Sequence, residues 1–248
     1  MLELTHITFA CEDPERLATF WTQLLDGYDA EASGDTWRAH GEGPGLSFNR
    51  MEKSPTIELP IHVDVNVPDR EAELRRVLEL GGSLVETKSH SVGELSETWT
   101  VMRDPERNGF CIQSPPDTSK RFIGNVTFSC AEPRELGQFW AEALGWPPEE
   151  VDEGFLQTLR DGGIDEQDLE GFYVTRNPDG SRPRFLFQRR EKSRPASYPI
   201  HLDLRSEDRE GEITRLEALG ASVVETKSSA AHTWTVMRDP DGNPFCVE

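Results

Sequence analysis

Near the start of the chain, apolar Ile7, Phe9 and Cys11 alternate with His6, Thr8 and Ala10. A strand turns successive side chains to opposite faces, so this alternation predicts a buried face and an open one. The period then changes. Leu17, Phe20, Trp21, Leu24 and Leu25 recur at three- and four-residue spacing, the stripe of an amphipathic helix. Asp13 can cap it, with Pro14 at its first position. Short strand candidates follow, "GLSFNRM" the clearest. The pattern restarts at "IHVDVNV", which alternates again. Asp69 then caps a helix, "REAELRRVLELGG", with Leu74, Val77 and Leu78 expected inward and Gly81 or Gly82 as its stop. "SLVETKS", "TWTVMRD" and "GFCIQ" are three further strands. The rhythm is strand, helix, three strands, and then the same again.

The whole rhythm is duplicated. "THITFACEDPERLATFWTQLL" (5–25) matches "GNVTFSCAEPRELGQFWAEAL" (124–144), and "PIHVDV" (60–65) matches "PIHLDL" (199–204). "TWTVMRDPERNGFCI" (98–112) matches "TWTVMRDPDGNPFCV" (233–247). All four cysteines fall in matched pairs, Cys11 with Cys130 and Cys111 with Cys246. The chain therefore reads as an α+β protein of two tandem domains, residues 1–115 and 122–248, joined by a Pro/Ser linker at 116–121. Four strand–helix–strands modules result. His6 and His62 lie 56 residues apart, but Asn125 and His201 lie 76 apart. The extra segment, within 147–183, is rich in acid, Gly and Pro and reads as a longer hairpin or a flap.

Charge narrows the range of partners. The formal net charge is −20 over 248 residues, spread over both halves. Such a chain repels phosphate backbones, which argues against nucleic acid as a partner. A cationic small molecule would be attracted. No apolar run is long enough to span a bilayer, and the N-terminus has no signal-peptide pattern. Four Cys suit a reduced, cytoplasmic protein better than a disulfide framework.

Alternation also sorts the chemistry-bearing residues. His6, His62 and Cys111 point away from the helices, while Cys11 and Cys130 point toward the core. His62 shares a face with Asp64, and His201 with Asp203, two residues on in each case. A His–carboxylate pair on a cleft wall could act as a general base, or could be a satisfied polar pair. Trp99 and Trp234 recur on matched strands and could stack on an aromatic or cationic ligand, or pack in the core.

"LTHITFACEDPERLATFWTQLLDG", "PIHVDV" and "DPERNGFCI" together resemble the vicinal-oxygen-chelate superfamily, which includes glyoxalase I, extradiol dioxygenases and bleomycin-resistance proteins. The resemblance covers nearly the whole chain as two consecutive glyoxalase-like domains. It implies paired βαβββ modules whose sheets curl around a cleft. In metal-using members it implies a divalent ion held from the first strand, the second module's first strand and the last strand. Carried over, those positions are His6, His62 and Cys111 in the first copy and Asn125, His201 and Cys246 in the second. Cys stands where Glu is usual, and Asn125 where His is usual. A neutral thiol is a poor ligand for a hard cation. No resident metal is therefore favoured. Two His and a thiolate, at His6, His62 and Cys111, would suit zinc or nickel in the first domain. Three functions stay open: a lyase or isomerase of this superfamily, with His62, Asp64, His201 and Asp203 as catalytic groups; a metal-free binding or drug-sequestering protein; and a scaffold whose second copy has lost its chemistry. The expected partner is a small molecule, with a homodimer as the further partner admitted.

Overall fold

The computed structural model describes residues 2–51, 60–92, 95–190, 199–229 and 232–248. Four modules follow one another. The first is β1 (Glu3–Cys11), α1 (Pro14–Leu24), β2 (Asp29–Ser33), β3 (Thr36–His40) and β4 (Gly45–Arg50). The second is β5 (Ile61–Asn66), α2 (Arg70–Glu79), β6 (Ser83–Val92), β7 (Leu95–Arg103) and β8 (Gly109–Gln113). The third has β9 (Phe122–Cys130), α3 (Pro133–Leu144), α4 (Glu153–Asp161), α5 (Glu166–Leu169), β10 (Phe172–Thr175) and β11 (Arg184–Arg189). The fourth has β12 (Ile200–Arg205), α6 (Arg209–Ala218), β13 (Ser222–Ser228), β14 (Thr233–Arg238) and β15 (Pro244–Val247).

The expected caps form. The Asp13 and Asp69 side chains accept the Arg16 and Ala72 amides, and Pro14 opens α1. Two expectations change. Leu78 is about half exposed, not inward, because the short helix α2 buries the stripe of Glu73, Leu74 and Val77. The extra segment of the third module, expected as a longer hairpin or a flap, holds two short helices ahead of the β10–β11 hairpin. Its Glu, Gln, Leu and Arg residues favour helix, and Arg160 pairs with both Glu153 and Glu166, tying α4 to α5.

The modules pair across the two copies. β1 runs antiparallel to β12, so the first and fourth modules make one eight-stranded sheet, sheet A. β5 runs antiparallel to β9, so the second and third make a seven-stranded sheet, sheet B. Helices α1 and α3 lie between the sheets. Trp21 packs on Phe9 of sheet A and Phe110 of sheet B, and Trp140 on Phe128 of sheet B and Phe245 of sheet A. One apolar cluster results, and it buries Ile7, Phe9 and Cys11 completely.

Polar contacts inside that core tie each copy together. The Trp21 indole donates to Asp104 at 3.3 Å, and Trp140 donates to Asp239 at 3.2 Å. Each Asp lies in the repeated "DP" turn and also accepts the amide and side-chain N–H of Asn108 or Asn243. Burial pushes Asp104 up to about 7 and Asp239 up to about 6, against the pull of these donors.

Two outcomes follow for folding. Asp104→Ala should lower stability by roughly 2–4 kcal/mol in urea unfolding, because it leaves several buried N–H groups without an acceptor. Residues 1–118 and 119–248, made as separate chains and mixed, should recover a one-to-one complex by light scattering, since each central strand finds its partner in the other copy. Two stable monomers would contradict the cross-copy pairing.

Candidate functional site

In each sheet, α1 and α3 cover one face and leave the other bare, and the chemistry-bearing residues lie on the bare face. Strand register sets them in rows. In sheet A one row crosses four strands as Arg38, Ser47, Thr8 and His201. The next runs from Gly45 through His6, Asp203 and Cys246 to Val236. In sheet B the corresponding rows are Val174, Leu186, Thr127 and His62, then Arg184, Asn125, Asp64, Cys111 and Val101. Trp99 and Trp234 sit two residues before Val101 and Val236, on the same face.

The cross-copy pairing overturns the expected ligand grouping. His6 does not meet His62 and Cys111. It lies in sheet A beside Asp203, while His62 and Cys111 lie in sheet B with Asn125. Asn125 is likewise separated from His201 and Cys246. The cause is that the two modules of one copy do not share a sheet: the first pairs with the fourth and the second with the third.

What comes together is a His–Asp–Cys group in each sheet. His62 Nε2 lies 3.5 Å from Asp64 Oδ1, and His201 Nε2 lies 3.3 Å from Asp203 Oδ1. The donor atoms of His62, Asp64 and Cys111 lie within 4.8 Å of one another, as do those of His201, Asp203 and Cys246. Each group could hold a metal ion. The donors are not the imidazole-and-glutamate set of metal-using relatives. Burial holds both thiols above their ordinary value. An ion would have to displace the thiol proton and break the His–Asp contact, which only a thiolate-seeking ion such as Zn²⁺ can drive.

The two groups differ in charge. Burial opposes a charge on His201, but Asp203 outweighs it and pushes the imidazole up to about 10. At His62 burial prevails over Asp64, Arg190 adds to it, and the pKa falls. The partners of the carboxylates explain the contrast. Asp64 accepts from Asn125 at 3.0 Å and Thr127 at 2.8 Å, whereas Asp203 accepts from the single hydroxyl of Thr8 and meets His201; each carboxylate also meets the thiol of its group. His6 is lowered by burial, against Asp203 and with the push of Arg38 and His40. Its ring lies over Gly45, where an added Cβ would sit 2.5 Å from His6 Cδ2. Sequence reasoning had no signal for Arg38 or Arg184. Arg184 occupies the place of Gly45 and donates to Asn125 and Glu149.

Paired modules with a polar row across the joint define a vicinal-oxygen-chelate protein. The family model described as a glyoxalase-like domain matches residues 6–113 and again 125–248. The chain belongs to this glyoxalase-like family. No curated protein matches it. Among solved structures, glyoxalase I from Zea mays is similar with a TM-score of 0.70 at 11% identity, covering 100% of this chain and 92% of that one. Its V278E mutant gives 0.69 at 12% identity over the same shares. At such identity the likeness is one of fold.

The charge contrast is directly measurable. At pH 7, long-range ¹H–¹⁵N spectra should show His201 as imidazolium and His62 as neutral imidazole, and Asp203→Asn should turn His201 neutral. His201 is raised above its unfolded value of 6.5, so its contribution to stability is complete below that pH and is lost as pH climbs through about 10. A neutral His201 at pH 7 in the wild-type chain would contradict the assignment.

Proposed function

We propose that the chain acts on a small organic molecule, with isomerase- or lyase-type proton transfer run by its own side chains rather than by the family's metal. The observation that carries this reading is a pair of imidazoles on one face of sheet A in opposite charge states. His6 is neutral, and its buried Nε2 has no hydrogen-bond partner. His201 is charged beside Asp203. Groups whose environments push their pKa values apart suit the two halves of an acid–base pair. His6 takes a proton from a carbon next to a carbonyl. His201 faces the negative charge that develops on the carbonyl oxygen and protonates it. Asp203 keeps His201 charged, and Thr8 fixes Asp203 by a 2.6 Å hydrogen bond. Metal independence rests on donor chemistry: a protonated thiol replaces the expected carboxylate, and His201 is committed to Asp203.

Sheet B supports a second reading for its own face. Asn125 replaces the unpartnered imidazole and is spent on Asp64 and Arg184. That face fits binding without turnover, as in the drug-sequestering branch, with Trp99 beside the cleft. In this reading the ligand is a small molecule, neither nucleic acid nor membrane is a partner, and a homodimer is the protein partner admitted. The four free, buried cysteines suit a cytoplasmic protein. Among the described residues no helix is long and apolar enough to cross a membrane.

Metal content and proton exchange test the proposal together. Protein purified without chelator or histidine tag should hold far less than one metal per chain. Deuterium uptake from solvent beside the carbonyl of small hydroxyketones and keto acids should survive EDTA. It should fall by roughly 10²–10⁴-fold in His6→Gln or His201→Gln. Stoichiometric zinc that is lost in Cys246→Ser together with the exchange would replace this reading with a metal-dependent one. Tight binding without exchange would favour sequestration.

A further inference from the structure

Among the described residues Arg38 makes no ion pair, although Glu31 lies opposite it on the edge strand. Arg38 lies on β3, half-buried, on the bare face of sheet A, in the same row as Ser47, Thr8 and His201. Its Nε is buried with no hydrogen-bond partner, and among the described residues no carboxylate pairs with its guanidinium. The other polar groups of that row are already engaged. Ser47 donates to Asn49, and Thr8 donates to Asp203. Beside Arg38 lies His6, whose Nε2 is the other buried, unpartnered nitrogen of this face. His40 closes the same end, its ring centroid 6.1 Å from that of His6. Glu31 stands opposite Arg38 and Asp29 opposite His40 on the edge strand, yet among the described residues neither makes an ion pair with them. A buried donor left unmade costs about 1–3 kcal/mol, and more when it is charged. A ligand that fills it recovers that free energy.

Sheet B provides an internal contrast. The position of Arg38 is Val174 there, and Leu186 follows it in the row. Two cations of that face, Arg184 and Arg176, meet a carboxylate, while Arg190 acts on His62. Arg184 donates to Asn125 and Glu149, and Arg176, whose Nε is also buried without a hydrogen-bond partner, lies 3.8 Å from the same Glu149. The pseudo-equivalent faces therefore differ in carrying a guanidinium or an isopropyl group at this row position.

We infer that the bare face of sheet A carries an anion subsite, in which the Arg38 fork holds the carboxylate of a small organic acid and orients it against His6 and His201. A guanidinium matches a carboxylate with two parallel N–H donors, which fixes orientation as well as position. This names the substrate class of the proposed reaction and rests on that reading for its catalytic consequence alone; the binding itself does not depend on proton transfer.

The test is a titration with benzoate and acetate, against benzamide as a neutral match, read by the Arg38 Nε–H resonance. Both carboxylates should shift that resonance and the His6 ring, and benzamide should shift neither. Arg38→Gln should weaken benzoate binding at least tenfold, with Arg38→Lys falling between, and dispersed amide spectra would certify that both variants fold. His201→Gln should abolish solvent exchange yet leave the benzoate shift at Arg38, which separates failure of the catalytic reading from failure of the subsite. Equal binding of benzamide, shifts that centre on Arg184, or no shift at Arg38 at saturating carboxylate would each overturn the inference.

Discussion

The antiparallel contact of β1 with β12, repeated by β5 with β9, is the constraint on which everything else depends. It joins the first strand of one module to the first strand of another, and it brings the His–Asp pair of one strand opposite the first-strand residues of its partner. His6 faces Asp203 and Asn125 faces Asp64 through that register alone. Helices α1 and α3 then fill the space between the sheets with rings that touch both. The bare faces are consequences: once the helices occupy one side, the polar rows have nowhere else to go.

Two groups of the same three residue types reach opposite charge states by small differences in their neighbours. The His–Asp distances differ by 0.2 Å, too little to decide the matter. The difference lies in the neighbours: His201 hydrogen-bonds Asp203 and Cys246, whereas Arg190 pushes on His62, and each carboxylate is satisfied differently. Asp64 has an amide and a hydroxyl as neutral donors, so a neutral His62 leaves it content. Asp203 has one hydroxyl and needs the imidazolium. A buried carboxylate that lacks neutral donors recruits a charged one, because leaving it alone is the costliest state.

Much of this was legible in the sequence because much of it is local. Alternation at His6–Cys11 gave the buried and bare faces, and Asp13–Pro14 and Asp69 marked the helix starts, since caps and periods act over a few residues. The Trp21–Asp104 bond spans 83 positions and has no local pattern. The grouping of His6 with His62 and Cys111 failed for a related reason. Repeats in the same order along a chain are compatible with sheets formed within copies or across them, and no residue period tells the two apart. The helices α4 and α5 were masked by the Gly and acidic residues that flank them, although Leu156 and Leu159 carry helical spacing. Arg38 could not be singled out either, because what matters about it is the absence of a partner, which only the assembled sheet displays.

Fusion of the two copies explains why the sites could diverge. In a symmetric pair of identical chains, every change on the first strand appears in both sites at once. In the tandem chain, positions 6 and 125 are independent, and so are 45 and 184. The two positions change together here for a steric reason. The His6 ring occupies the space that any side chain at position 45 would need, so His requires Gly. Asn125 is shorter and leaves room for Arg184, whose guanidinium then hydrogen-bonds it. A single substitution at either position would therefore give a clash or an unsatisfied buried group. The path from one site type to the other takes two changes, and the intermediate is penalised.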